Sequence, residues 1–561
     1  MTAGAKRLIS IQAISGFVFG GGAAVGFGRL PPIASPANLH PEPLRMMKLP
    51  RLGVALLVPV LLHLAAPALR ADGDVLTPKP GPQAQVHGPT VFGVRPGSPF
   101  LYTIPATGTP PLQFGAEHLP DGLQVEAATG RITGMLSQAG TYEVVLTASN
   151  GAGQSRKPFR IVVGDQISLT PAMGWNSWNC WATSVDQEKV LRSAKALVAS
   201  GLAAHGWTYV NIDDTWQGQR SGPDHALQPN EKFPDMKKLC DDIHALGLKA
   251  GIYSTPWVTS YAGFAGGSSD HPDGSWSKGV DAKGGHHNGR YPFAPADAKQ
   301  WGAWGMDYLK YDWNPNDVPH VAEMSAALKA SGRDVIYSLS NAAPIAHGDD
   351  WARLANSWRT TGDIFDRWAN NGETEWQFGV SEIGFAQDHW VPYAAPGHWN
   401  DPDMLVVGWV GWGPELHQTR LTPDEQYTHI SLWCMLSAPL LIGCDLDRLD
   451  DFTLGLLTND EVLAVDQDAL GQQARRVATY GAVDVYVKPL EDGTRAVGFF
   501  NRGAKATITF NKLGVFGVKF PAQVRDLWRQ QDLAPLAKRS GALTLTIPEH
   551  GVMLLRVTGA P

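Results

Sequence analysis

MDYLKYDWN, residues 306–314, is an apolar run that carries Lys310 and Asp312 close to its end. Side chains alternate between the two faces of a strand. Leu309, Tyr311 and Trp313 then share one face, and Tyr308, Lys310 and Asp312 share the other. A lysine and a carboxylate facing a packed interior are costly unless they are paired or used. From this stretch alone, a structural ion pair and a functional pair are both open.

The chain around it repeats one pattern. From Ser168 onward short apolar strands alternate with amphipathic helices, the signature of a parallel α/β fold. Strands are expected at 169–175, 207–213, 250–254, 306–312, 334–339, 356–360, 403–408 and 439–443. Helical patterns fill the gaps, among them DQEKVLRSAKALVASG, DMKKLCDDIHALG and DEQYTHISLWCMLS. Eight strands with about seven helices in roughly 300 residues fit a (β/α)8 barrel. An open doubly wound sheet is the alternative, but no G-x-G-x-x-G follows the first strand.

The flanks read differently. Residues 1–71 hold an upstream extension and, from Met46 or Met47, a secretory signal pattern: Lys48 and Arg51, an apolar core over 52–66, then small residues at 66–71. That run is too short to span a membrane comfortably. Export, to a periplasm or out of the cell, is the expected localisation. Residues 72–164 form a Pro- and Gly-rich linker, read over 72–100, leading into a small β domain. There TGRITG marks a turn, and GTYEVVLTASNG alternates Tyr142, Val144, Leu146 and Ala148 against polar positions. The segment LPDGLQVEAATGRITGMLSQAGTYEVVLTASNGAG resembles the Ig-like domains of bacterial secreted proteins. The barrel is assigned to 165–470. Over 471–561 short strands such as VDVYVKPL, RAVGFFN, ATITFN and VMLLRV read as a C-terminal antiparallel β-sandwich.

Composition narrows the function. The chain has 561 residues, a net charge of −7 and no basic tract, which argues against a nucleic-acid partner. Its 20 Trp supply flat apolar faces suited to sugar rings, although a large core would use them too. Cys180, Cys240, Cys434 and Cys444 are far apart and form no C-x-x-C, so a zinc ribbon or dithiol motif is not suggested, while one or two bridges stay open.

In such a barrel the chemistry sits at the C-terminal ends of the strands. Those ends hold Trp175 and Trp178, then Asp213 and Asp214, Tyr253, Lys310 and Asp312, and Arg359 and Asp363, and the turn HWNDPDM adds Trp399, Asp401, Asp403 and Met404. Carboxylates at four separate strand ends, with aromatics among them, are hard to explain by packing. Retaining glycosidases need two carboxyl groups about 5–5.5 Å apart, one as nucleophile and one as acid/base. A cation such as Lys310 would keep Asp312 ionised. A second negative charge near Asp363 would let that group hold its proton. Two carboxyl groups suffice for this reaction, so no cofactor or metal is expected. A metal-hydrolase site is disfavoured by the shortage of placed histidines.

LTPAMGWNSWN, YVNIDDTW, GIYS, YLKYDW, WRTTGDI and HWNDPDMLVVG, in this order, resemble glycoside hydrolase family 27, the α-galactosidases and α-N-acetylgalactosaminidases. The resemblance runs from about Leu169 to Gly471 and more loosely beyond. It implies a retaining exo-glycosidase acting on terminal α-D-galactosyl residues. It also implies Asp312 as nucleophile and Asp363 as acid/base, with Trp178, Asp213, Asp214, Tyr253, Lys310, Arg359 and Asp403 binding the sugar.

Two departures bear on specificity. Many members carry SCEW after strand 5, whose Glu meets the sugar at C2; this chain has YSLSNAAP, with Ser340 at that place and Ala343 three residues on. Small residues there would admit an N-acetyl group, unless the loop is rearranged and another residue meets the 2-hydroxyl. Galactose remains the first expectation. N-acetylgalactosamine, β-L-arabinopyranose and a non-catalytic carbohydrate-binding protein are the alternatives. The family's bridge between a Cys after the nucleophile and one after strand 3 is absent, those places being Asn314 and Tyr261. A polar insertion, 268–293, is expected to overhang the active-site face. Its His271, His286 and His287 are read mainly as solvated loop residues rather than metal ligands. The oligomeric state is not encoded in any of these patterns.

Overall fold

The computed structural model describes residues 74–372, 374 and 376–560. At its centre lie eight short strands: β1 (Met173–Asn176), β2 (Tyr209–Asn211), β3 (Lys249–Ser254), β4 (Met306–Asp312), β5 (Ile336–Ser340), β6 (Ser357–Arg359), β7 (Trp399–Asp401) and β8 (Leu440–Ile442). They are hydrogen-bonded in the order β7-β6-β5-β4-β3-β2-β1-β8, and every adjacent pair is parallel. A lone parallel bridge between Leu405 and Ile442 closes the circuit. Leu405 N–H donates to Leu441 O at 2.8 Å, and Gly443 N–H donates to Leu405 O at 3.1 Å.

β4 is covered on both faces, as strands of a barrel must be. Leu309 and Tyr311 are buried on one side and Tyr308 on the other, with Lys310 partly open toward the interior. The seventh strand lies before its expected place at 403–408. Pro402 has no N–H to continue a ladder, and Asp403 turns the chain with φ of 83°. The apolar run Met404–Val407 is buried as irregular chain, with Leu405 alone keeping a strand partner.

The helices start where short polar residues cap them. Asp186 accepts from Lys189 N–H at the start of α1 (Gln187–Ala199), and Asp235 accepts from Lys238 N–H at α2 (Met236–Ala245). Thr422 and Glu425 form a reciprocal capping box on α3 (Pro423–Leu436). That helix is buried almost all round, because the C-terminal domain packs on its outer side.

The N-terminal β domain is a sandwich. One sheet holds Val91–Val94, Gly153–Val163, Gly140–Asn150 and Gln113–Glu117; the other holds Pro99–Thr103, Arg131–Met135 and Leu123–Val125. Val144, Leu146 and Ala148 face its core with Phe100, Phe159 and Ile161. Strands Gln85–Val86 and Val91–Val94 fall within the stretch read as linker, where dense Pro and Gly mask short extended segments. The domain docks on residues that precede or begin barrel strands. Arg95 pairs with Asp334 at 3.4 Å, Thr103 Oγ1 donates to Gly247 O at 2.7 Å, and the Lys249 ammonium lies 4.7 Å from the Phe92 ring centre. At the same junction His87 and His205 each place Nδ1 on Asp460, at 3.1 and 2.9 Å.

The C-terminal domain has a six-stranded antiparallel sheet and a separate antiparallel strand pair, Ala506–Phe510 with Leu543–Ile547. All four cysteines are buried and free, so neither bridge left open by the sequence forms. The expected signal peptide lies outside the described residues. Among those described, no helix is long and apolar enough to cross a membrane.

Candidate active site

A cavity of about 620 Å³ opens at the C-terminal ends of the barrel strands, within the roughly 300–1,000 Å³ range of small-molecule sites. Every site residue expected from the sequence lines it. Trp178 follows β1. Asp213 and Asp214 follow β2, and Tyr253 lies in β3. Lys310 and Asp312 come from β4, and Ser340 ends β5. Arg359 ends β6, with Asp363 four residues on, and Asp403 follows β7. Trp175, near the end of β1, and Trp399, which begins β7, are not in this lining. Their indoles are fully buried and donate to Cys444 O and Ser168 O.

Two ion pairs organise the lining. Lys310 Nζ lies 2.9 Å from Asp213 Oδ2. Burial works against the ammonium, yet Asp213 and Asp312 beside it raise its pKa above the ordinary lysine value. Arg359 Nη2 reaches Asp403 Oδ2 at 2.8 Å and Asp363 Oδ1 at 3.2 Å. Asp403 is also held by Ile364 N–H at 2.9 Å. Burial pushes its carboxyl up to about 6 against Arg359, with Asp363 and Asp401 adding.

Asp312 differs from its expected setting. Lys310 bonds Asp213 and touches Asp312 only through its field. Burial therefore prevails and pushes the Asp312 carboxyl up to about 7, Lys310 opposing and Asp213 and Asp363 adding. The Tyr253 hydroxyl sits beside this carboxyl, and burial raises its own pKa well above the usual phenol, with Asp214 and Asp312 adding. Asp363 also departs from its expected setting. Its nearest charged partner is the Arg359 cation, and its side chain is 43% exposed at the cavity rim.

Asp214 is buried and accepts from Ala262 N–H at 2.9 Å, Thr215 N–H at 2.7 Å and Gln217 Nε2 at 2.9 Å. Burial still holds its carboxyl above the usual range.

The turn after β5 departs most from expectation. Ser340 lines the cavity, but Ala343 is buried and absent from the lining, so its small size opens no room there. Asn341 stands in the lining instead, and its amide donates to Asp312 Oδ1. Asn314 and Tyr261, at the places of the missing bridge, both face the cavity. The insertion 268–293 contributes no lining residue. It braces the rim: His286 stacks on Trp257 at 4.5 Å and meets the Tyr261 ring edge-on at 4.9 Å. His287 pairs with Asp270 at 2.9 Å. Trp376, Phe378 and Trp412, which no motif marked, complete the rim on the Asp363 side.

The model of the family described as "Alpha galactosidase A" matches residues 170–276 and 274–468, and its "Alpha galactosidase C-terminal beta sandwich domain" matches 480–557. The chain belongs to glycoside hydrolase family 27. An Ig-domain model matches residues 84–164, ahead of the family 27 core. An alpha-galactosidase A of Cellvibrio japonicus is 34% identical over 420 residues, 70% of this chain and 93% of that one. A crystal structure from Bacteroides fragilis superposes with a TM-score of 0.75 at 33% identity, covering 85% of this chain and 98% of that one. A family 27 β-L-arabinopyranosidase of Geobacillus stearothermophilus superposes with a TM-score of 0.58 at 27% identity, covering 70% of this chain and 97% of that one.

Proposed function

We propose that the protein is a retaining α-galactosidase that removes terminal α-D-galactosyl residues by double displacement. The observation that carries this reading is that one cavity holds both Asp312, from β4, and Asp363, from the ribbon that follows β6, among polar groups suited to sugar hydroxyls. Family 27 membership and its alpha-galactosidase relatives support it.

In the first step an Asp312 oxygen attacks the anomeric carbon while Asp363 gives a proton to the departing oxygen. Asp312 is buried at the floor and Asp363 stands at the rim, which matches an attack from below and a leaving group departing outward. The charges of the two carboxylates repel. Asp363, having given up its proton, then takes one from the incoming water as that water attacks the anomeric carbon and the bond to Asp312 breaks. Lys310–Asp213, Asp214 and Arg359–Asp403 present fixed donors and acceptors to the ring hydroxyls. Trp178 and Tyr253 supply apolar walls.

The N-terminal pattern at Met46–Ala71 supports export of the chain. The test of substrate is hydrolysis of aryl α-galactoside, aryl α-N-acetylgalactosaminide and aryl β-L-arabinopyranoside, with Asp312→Ala as control. The galactoside is expected to be cleaved fastest, with the α-anomer of galactose released first. Faster cleavage of either other glycoside by wild type would reassign the substrate.

A further inference from the structure

We propose that Asn341 is a positioning residue that fixes the Asp312 carboxylate for attack. This rests on the reading of Asp312 as nucleophile, and it adds a residue that the catalytic pair does not require by itself.

The first observation is direct: the Asn341 side-chain amide donates to Asp312 Oδ1 from within the cavity wall. The second is the backbone that delivers it. Asn341 has φ of 69° and Ala342 has φ of 45°. Two consecutive non-glycine residues in the left-handed region are strained, and such strain persists only where the surroundings over-determine it.

The surroundings do so here. Ala342 N–H donates to Thr361 O at 3.1 Å, and Ala343 N–H donates to Arg359 O at 2.8 Å. The buried Asn316 amide donates to both Trp313 O at 2.8 Å and Ser340 O at 3.1 Å. The turn after β5 is thereby tied to the turn carrying the nucleophile on one side and to the Arg359–Asp363 segment on the other. The Asn341 amide is the movable group that these anchors aim at Asp312.

The chemistry needs such a group. Lys310 is paired with Asp213, and among the described residues no cation is bonded to the buried Asp312 carboxyl. A neutral N–H donor stabilises the ionised form. Holding Oδ1 also restricts the rotamer, with the Tyr253 hydroxyl as the carboxyl's other neutral neighbour, which favours the near-attack geometry. Asparagine suits the place because it tolerates positive φ better than most residues and carries an N–H.

Asn341→Gly separates donor from backbone, since glycine adopts this φ without strain. The experiment measures pH profiles of kcat/KM on an aryl α-galactoside for wild type, Asn341→Gly and Asn341→Asp, with Asp312→Ala in parallel. Asn341→Gly is expected to keep its melting temperature, to lose about 10²-fold in kcat/KM chiefly through kcat, and to move the acid limb to higher pH. Asn341→Asp, which replaces the donor by a negative charge, is expected to move the limb further. An unmoved acid limb with kcat/KM within threefold of wild type would overturn the proposal while leaving Asp312 as nucleophile. Near-normal activity of Asp312→Ala would overturn both.

Discussion

Asp312 is a carboxylate in a place that favours its neutral form. Burial, joined by Asp213 and Asp363, holds its pKa at about 7 against the Lys310 field. The sign of the linkage follows. A carboxyl whose folded pKa exceeds its unfolded value of about 4 stabilises the fold fully below pH 4, and that contribution is lost as pH rises through 7. Asp312→Asn should therefore abolish turnover and, at pH 8, stabilise the protein by about 1–3 kcal/mol. At pH 5 the gain should shrink; thermal melts at the two pH values check it. The same ionisation governs activity, so kcat/KM of the wild type should fall about tenfold per unit as pH drops below 7. Asp363→Ala should hurt most with poor leaving groups and be partly rescued by azide on activated aryl galactosides. An equal loss for all leaving groups would assign the acid elsewhere. Most of the site residues were readable because they follow or end strands with a visible apolar pattern, while Asp363 and Asp403 were marked by the motifs WRTTGDI and HWNDPDM. Asn341 was not readable. Its role depends on a left-handed turn and on Asn316 behind it, and neither leaves a period or spacing in the chain.

The short ribbon that carries Asp363 is the element with the least barrel support. Asp363–Ile364 pairs with Gln377–Phe378, and Ile364 hangs on Asp403 through its N–H. Beyond it, Trp368 stacks on His550 of the C-terminal domain, ring centres 4.2 Å apart. His550 is in turn fixed by Glu425 at 2.7 Å, and its carbonyl accepts from Thr428 Oγ1 at 2.6 Å. The sandwich thus steadies the loop that delivers the acid/base. Trp368→Ala should lower kcat/KM about tenfold for galactosides with poor leaving groups and much less for activated aryl galactosides; comparing the two substrates on one preparation checks it. Elements with capped starts and clean periodicity, such as α1 and α2, were legible to within a few residues. β7 was not, because the apolar run Met404–Val407 imitates a strand while Pro402 and the positive φ of Asp403 prevent one.

Across the whole molecule, changes of texture along the chain marked the succession of β domain, barrel and sandwich. How the β domain docks was invisible, because the contacts join residues far apart in sequence, such as Arg95 with Asp334. One junction is sensitive to pH. Burial lowers the His87 pKa to about 4, outweighing the attraction of Asp460. A histidine depressed below its usual 6.5 or so contributes its full stability above that value and loses it as pH falls toward 4. The melting temperature of His87→Gln relative to wild type should therefore rise as pH falls from 7 to 4.5, and paired melts across that range check it.

The β domain meets the barrel at residues that begin strands, whereas the cavity is built from residues that end them. The molecule thus has a back and a front. The β domain lies behind the catalytic mouth, and among the described residues that mouth is rimmed by barrel loops such as the Trp257–Tyr261 segment and the Trp376 edge. The added domain can vary in sequence without reshaping what the mouth accepts.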